Sequence, residues 1–383
     1  MATSFAEAVH DSTIRRQVGI ERFKSGALRR IISLLNEVDA DIIDRLDSIN
    51  GVRSRRRVEA VLREIRRINA RAFQEILRRM GEEIEDFAEA DAAFVTRSLN
   101  AALPDGVGGA VNFLAPSEKL LFVAAENDFN NHLVRGRTIR SWLDGIRSGD
   151  SERIESAVRL GFTEGQSVDD IIRRFRGARQ LRFRDGIREV TRRQLESLIR
   201  TSVQSASSQA RDAVYEENNQ LLKGVQWVAT LDGRTTKICM SLDQKVFPVD
   251  SGPRPPAHFN CRSTTVPQIK SWRELGLNLS EPPAAMRPFV RSTRRWRDIP
   301  RGERSLIDRG TVPGDLRYPQ WLRRQHRDFV EDVMGVDKAK LFLDGDLAID
   351  RFVDQGALRE YSLEELRRRE PQAFEKAGLS DDE

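Results

Sequence analysis

Two apolar stripes of helical period, separated by a single Asn-Gly turn, constrain this chain more than any other feature. Ile31, Leu35, Val38, Ile42, Leu46 and Ile49 recur at steps of four and three. After Asn50-Gly51 a second stripe follows: Val58, Val61, Ile65, Ile68, Ala72, Ile76, Met80, Ile84 and Phe87. The spacing predicts one helix over about 12–48 and another over about 54–99, joined as an antiparallel hairpin. At about 1.5 Å per residue each helix spans roughly 55–65 Å. Such a hairpin either reaches out as a rod toward a partner or is closed into a bundle by later helices, and the stripes fit both. Residues 1–100 hold 18 basic and 17 acidic residues, so the hairpin has almost no net field to attract phosphate and is expected to bind protein. Treated as a separate domain, it is expected to be removable without unfolding residues 150–270.

Beyond the hairpin, residues 101–116 carry Gly, Pro and small side chains and are expected to link. Shorter helices are expected near 117–134, 137–148, 150–160 and 167–176, the last started by Ser167. Thr191-x-x-Gln194 matches a capping box ahead of a long helix over about 192–219. The texture changes at Lys223, where Val225, Trp227, Ala229 and Leu231 alternate as in a strand. A short helical piece (TTKICMSL), a strand (KVFPV), a Gly/Pro-rich loop and a strand (TTVPQI) follow, making a small α+β module over about 224–270. The expected fold class is mainly α with a small α+β module. Its expected parts are a helical hairpin at 1–100, a linker with short helices at 101–149, a helical then loop-rich domain at 150–270, and a mixed C-terminal extension at 271–383.

Composition narrows the function. The 383 residues include 64 Lys+Arg and 59 Asp+Glu, a net charge of only +5, but 55 of the basic residues are Arg. Guanidinium forks suit ion-pair networks or polyanions. No run of 18 apolar residues predicts a membrane span, and the N-terminus lacks a signal-peptide core. Two Cys and four His exclude a disulfide-rich scaffold and a multi-site zinc protein, and point to a reducing compartment. Charge separates late in the chain: residues 287–327 hold 12 Arg and 4 acids, whereas 328–383 hold 8 basic and 16 acidic residues. Arg291, Arg294, Arg295 and Arg297 are therefore candidates for nucleic-acid contact. The acidic tail is the competing partner, and pairing of the tail with this segment is the expectation.

Chemistry concentrates between Thr230 and Thr265. Cys239, His258 and Cys261 offer three metal donors, with Asp232 or Asp243 as a fourth. The same trio is open to a Cys239–Cys261 disulfide, to a Cys–His nucleophile pair, or to simple packing of buried thiols against a hydrogen-bonded His. Packing is the expectation, with no bound metal. Arg234 and Arg262 are expected to lock the loops through Asp232 or Asp243.

The ordered motif resembles the Mu F-like class of phage head morphogenesis and minor head proteins. The residues that carry the likeness are Trp227, Asp232, Arg234, Thr235, Cys239, Leu242, Asp243, Val246, Phe247, Pro255, Pro256, His258, Asn260, Cys261 and Arg262. A helix with Arg200-Thr201, Arg211 and Tyr215 precedes them, and the likeness covers about 150–270. Tyr318-Pro-x-Trp321 and Lys338-Ala-Lys-Leu-Phe342 resemble a tail found on some members. Many relatives carry Cys-x-x-Cys and His-x-x-Cys-x-Cys; here Thr236 and Ser263 stand at two of those thiol positions. The resemblance implies a minor virion component of the phage head, assembled in host cytoplasm beside portal protein and the major capsid or scaffold protein. It also implies DNA as a further partner, no membrane during assembly, no catalytic activity and no cofactor beyond zinc. The alternative is a thiol- or metal-dependent hydrolase or DNA-processing protein centred on His258 and Cys261. One His and two Cys are thin equipment for that.

Overall fold

A computed structural model describes residues 5–51, 54–117, 137–279, 286–295 and 298–379. The hairpin forms as the stripes dictate, with α1 at Phe5–Asp47 and α2 at Arg55–Ala102. Gly51 takes a left-handed φ of 70° at the turn between them. Three more helices follow: α3 at Ile139–Thr163, α4 at Val168–Arg176 and α5 at Ile187–Glu217. The helix expected near 117–134 falls on residues outside the described ones. The fold is mainly α with a small α+β module.

Two of the expected boundaries move, and one residue accounts for both. The pieces expected at 137–148 and 150–160 are one helix, α3. Helix α5 begins just after Gly186 and not at a Thr191 cap. Thr191 is buried and donates its hydroxyl to Asp150, itself buried in mid-α3 and also paired with Arg188. A Ser-Gly-Asp run that reads as a break is held helical by these contacts, and the Thr that reads as a cap is spent on them.

Contacts divide the chain into two compact units, one of Met1–Val18, Asp91–Ser117 and Ala210–Glu383, the other of Gly19–Ala90 and Glu118–Gln209. In the second unit Ile42, Leu46, Val58, Leu62 and Ile65 share a core with Ile154, Val158, Ile171 and Phe175. The hairpin is thus closed into a bundle. The expectation that residues 150–270 stay folded without residues 1–100 is corrected on the same ground. Deleting the hairpin would strip the apolar partners of α3 and α4.

The first unit holds the strands: β1 at Leu222–Val228, β2 at Leu231–Asp232, β3 at Val246–Phe247, β4 at Thr264–Ile269, β5 at Met286–Val290 and β6 at Arg309–Pro313. The first sheet runs β3-β1-β4, antiparallel, with Val225 opposite Phe247 and Trp227 opposite Thr265. The second runs β2-β5-β6, with Asp232 beside Val290 in the parallel β2–β5 pair. Short helix α6, Lys237–Leu242, lies between β2 and β3. C-terminal helices α7 at Tyr318–Arg323, α8 at Arg327–Met334, α9 at Val336–Leu343, α10 at Leu363–Arg369 and α11 at Pro371–Lys376 follow, with the hairpin pair β7 (Val353–Asp354) and β8 (Arg359–Glu360) among them.

One apolar cluster joins Trp227, Cys239, Met240 and Cys261 to Trp321, Leu322, Phe342, Phe352 and Phe374. Residues after 270 therefore complete the core of the module, and do not form the separate extension drawn from sequence. Within this unit Phe5 also meets the Trp272 ring edge-on at 5.9 Å and stacks on Phe113 at 6.3 Å.

Candidate functional site

Helix α6 and the Pro-rich loop bring the three sequence-predicted donors together. Thr236 caps α6, its Oγ1 accepting from Cys239 N at 3.5 Å, and this aims Cys239 inward. Pro255-Pro256 carries a cis bond, and Asn260 turns the chain with a φ of 59°. Between them the loop presents His258 and Cys261 to Cys239. Cys239 Sγ lies 3.2 Å from His258 Nε2 and 3.7 Å from Cys261 Sγ. His258 Nδ1 lies 2.9 Å from the Phe259 carbonyl, which fixes the proton there and turns Nε2 to the sulfurs.

The three groups share protons. Burial, then the hydrogen bond to Cys261, pushes the Cys239 thiol well up, while the Ser263 and Thr236 hydroxyls pull the other way. The hydrogen bond from Cys239, and then His258, outweigh burial and hold the Cys261 thiol well below its ordinary value. Burial lowers His258, but its bond to Cys261 and the charge there carry it above the usual histidine range. The same neighbours thus set the two buried thiols apart, Cys239 raised and Cys261 lowered. Both cysteines are free thiols, 1% and 0% exposed.

As a metal site the trio is incomplete. Its donor atoms lie within 4.8 Å of one another, as three corners of a zinc tetrahedron would. Among the described residues no further Cys, His, Asp or Glu joins them. Asp232 and Asp243, the carboxylates considered as fourth donors, are engaged elsewhere. Thr236 and Ser263, at two of the thiol positions of the relatives, bring neutral hydroxyls to Cys239. The residues present do not complete a structural zinc set.

The carboxylates organise the rest. Arg262 grips Asp232 with both arms, Nη1 to Oδ2 at 2.5 Å and Nη2 to Oδ1 at 2.8 Å, and Arg234 adds a contact at 3.4 Å. Burial would raise Asp232, but the Arg262 hydrogen bond and charge hold it below its ordinary value. Asp243 accepts from Ala229 N at 2.8 Å, from Tyr318 N at 2.7 Å and from both arms of Arg287. Trp227 is fully buried and Phe247 packs on the core beside it. Ahead of the module, Arg211 donates to Thr264 Oγ1 at 2.7 Å and Tyr215 to the Thr265 carbonyl at 3.3 Å, which ties α5 to β4.

Arg287 and Tyr318 were missed as site residues. Arg287 is 1% exposed, yet in sequence it is one of twelve arginines in a basic run. Tyr318 donates its hydroxyl to the Asp232 backbone carbonyl at 2.6 Å and its N–H to the Asp243 carboxylate, so it ties the two nodes together. Of the candidate DNA contacts, Arg291 pairs with Asp308 at 3.0 Å and Arg294 with Glu303 at 2.7 Å. Arg295 lies near enough to Arg234 to lower its pKa, behind burial and Arg262. Arg297 lies outside the described residues. The acidic tail meets the end of the basic run through Arg323–Asp346, Arg327–Asp344 and Arg327–Glu331.

Residues 152–266 match the family model described as Phage Mu protein F like protein. The chain carries a Mu F-like domain. The match takes in under a third of the chain and includes every motif residue from Trp227 to Arg262, but neither Arg287 nor Tyr318. No curated protein and no solved structure matches the chain. The Mu F-like domain supports a phage head morphogenesis protein. Among the described residues no helix is long and apolar enough to cross a membrane.

Proposed function

We propose that this protein is a structural, non-enzymatic minor component of the phage head, acting with portal protein and the major capsid or scaffold protein during assembly in the host cytoplasm, and remaining in the virion. The Mu F-like match carries the reading. The motif chemistry agrees with it: the conspicuous groups of the motif face inward and hold loops. Asp232 is gripped by Arg262, Asp243 by Arg287, and the two thiols are buried where no substrate reaches sulfur. A hydrolase centred on His258 and Cys261 would need an open nucleophile. The Cys–His trio serves instead as a metal-free polar node that closes the loop of the module.

The test is mass spectrometry of purified proheads and heads. Recovery at a fixed low ratio to portal protein is the expected result. Complete absence from both particles overturns the proposal.

A further inference from the structure

The loop between α4 and α5 is built for display. Gly177 and Gly186 form its neck: a Cβ on Gly186 would meet the Arg176 carbonyl at 2.4 Å, and one on Gly177 would meet Gly186 N at 2.8 Å. Asp185 accepts from Ala178 N at 2.8 Å, and Phe183 N donates to the Ala178 carbonyl at 2.9 Å. Arg182 and Phe183 both take left-handed φ values, 52° and 61°. Two successive non-glycine residues there are uncommon and strained, and such strain gathers at functional sites. What the loop presents is unusual too. Leu181 is 57% exposed and Phe183 46%, where a solvated turn would carry small polar residues. Arg176, Arg179, Arg182 and Arg184 are exposed, and none forms an ion pair among the described residues. Residues 176–186 hold four Arg against Asp185 alone, and Asp185 is spent on the neck.

We propose that this loop is a nucleic-acid contact. Its guanidiniums bind backbone phosphates, and Phe183 and Leu181 lie against bases or sugars. Interleaved Arg and exposed aromatic side chains fit a polyanion with flat apolar faces. The proposal goes beyond the head-assembly reading and stands apart from it, because DNA affinity is measured on the purified chain and incorporation on particles.

The experiment is fluorescence anisotropy of the full-length protein with a labelled DNA duplex and its single strand, across a salt series. The triple variant Arg179→Gln/Arg182→Gln/Arg184→Gln is expected to bind at least about ten-fold more weakly at low salt, with a salt slope shallower by about 2.7 for three lost phosphate contacts. Phe183→Ala is expected to weaken the single strand more than the duplex. Arg291→Gln/Arg294→Gln is expected to change affinity less than about two-fold, because those arginines have acids of their own. Should the triple variant fail to fold, Arg184→Gln alone serves, with about a third of the slope change. Three results overturn the proposal. They are wild-type protein that ignores DNA at low salt, a folded loop variant that binds DNA like wild type, and displacement of DNA by inorganic phosphate at matched ionic strength.

Discussion

The basic run at 287–327 and the loop at 176–186 carry the same residue for opposite ends. The run has a net charge of +8, yet Arg287 is buried on Asp243, Arg291 and Arg294 answer Asp308 and Glu303, and Arg323 and Arg327 reach into the acidic tail. The loop has four arginines over one acid, and those four are unpaired among the described residues. Charge counted along a sequence measures neither field nor function. What matters is whether the fold supplies each guanidinium with a carboxylate.

The largest expected effect comes from breaking a buried arginine. Arg287→Gln leaves Asp243 charged and half-satisfied in the core, and should lower stability by about 3–5 kcal/mol in denaturant unfolding. The loop triple variant should leave the unfolding midpoint where it is. Equal stability losses from the two would erase the distinction between them.

Next is the thiol node. Cys261→Ala should lower stability by roughly 1.5–3 kcal/mol, the value of a comparable buried apolar side chain. Cys261→Ser should cost less if the sulfur is only packed and hydrogen-bonded. Elemental analysis should find no stoichiometric zinc, and one zinc per chain would break the metal-free reading.

A smaller effect is expected at the loop neck. Gly186→Ala puts a methyl against the Arg176 carbonyl, so it should loosen the loop, lower the unfolding midpoint somewhat and weaken DNA binding several-fold. Unchanged affinity would show that the pinched shape contributes nothing.

A further effect concerns pH. Burial pushes Asp212 up to about 7 against the pull of Arg254, 3.0 Å away. An unfolded Asp titrates near 3.9. Between those values the folded chain holds a proton that the unfolded chain releases. Stability from this group therefore grows as pH falls from about 7 toward 4, and is lost as pH rises through 7. Asp212→Asn should flatten that part of the midpoint-versus-pH profile.

The hairpin was legible because its stripes are long and broken once. The meeting of Cys239, His258 and Cys261, and the grip of Arg262 on Asp232, were legible because the motif holds them in order within one short module. Arg287 was not, since a buried arginine and an exposed one are the same letter. The start of α5 was misplaced because Thr191 has the local pattern of a cap, while a distant Asp150 claims its hydroxyl. The display loop had one overlooked signal, two glycines nine residues apart around Arg, Leu and Phe. Its unpaired state depends on tertiary neighbours that no local pattern records.

The shared core of the module has a consequence for cutting the chain. Strand β2 hydrogen-bonds to β5 across the residue-270 boundary, Arg287 reaches back to Asp243 and the Ala229 carbonyl, and Trp321 and Phe342 fill the space around Trp227. A protease that severed the backbone between Arg273 and Leu277 would trim nothing. It would leave two fragments gripping one another, separable in denaturant and able to find each other again when mixed. The N-terminal piece would keep the core that the hairpin shares with α3 and α4, but neither piece alone would hold the whole core of the module.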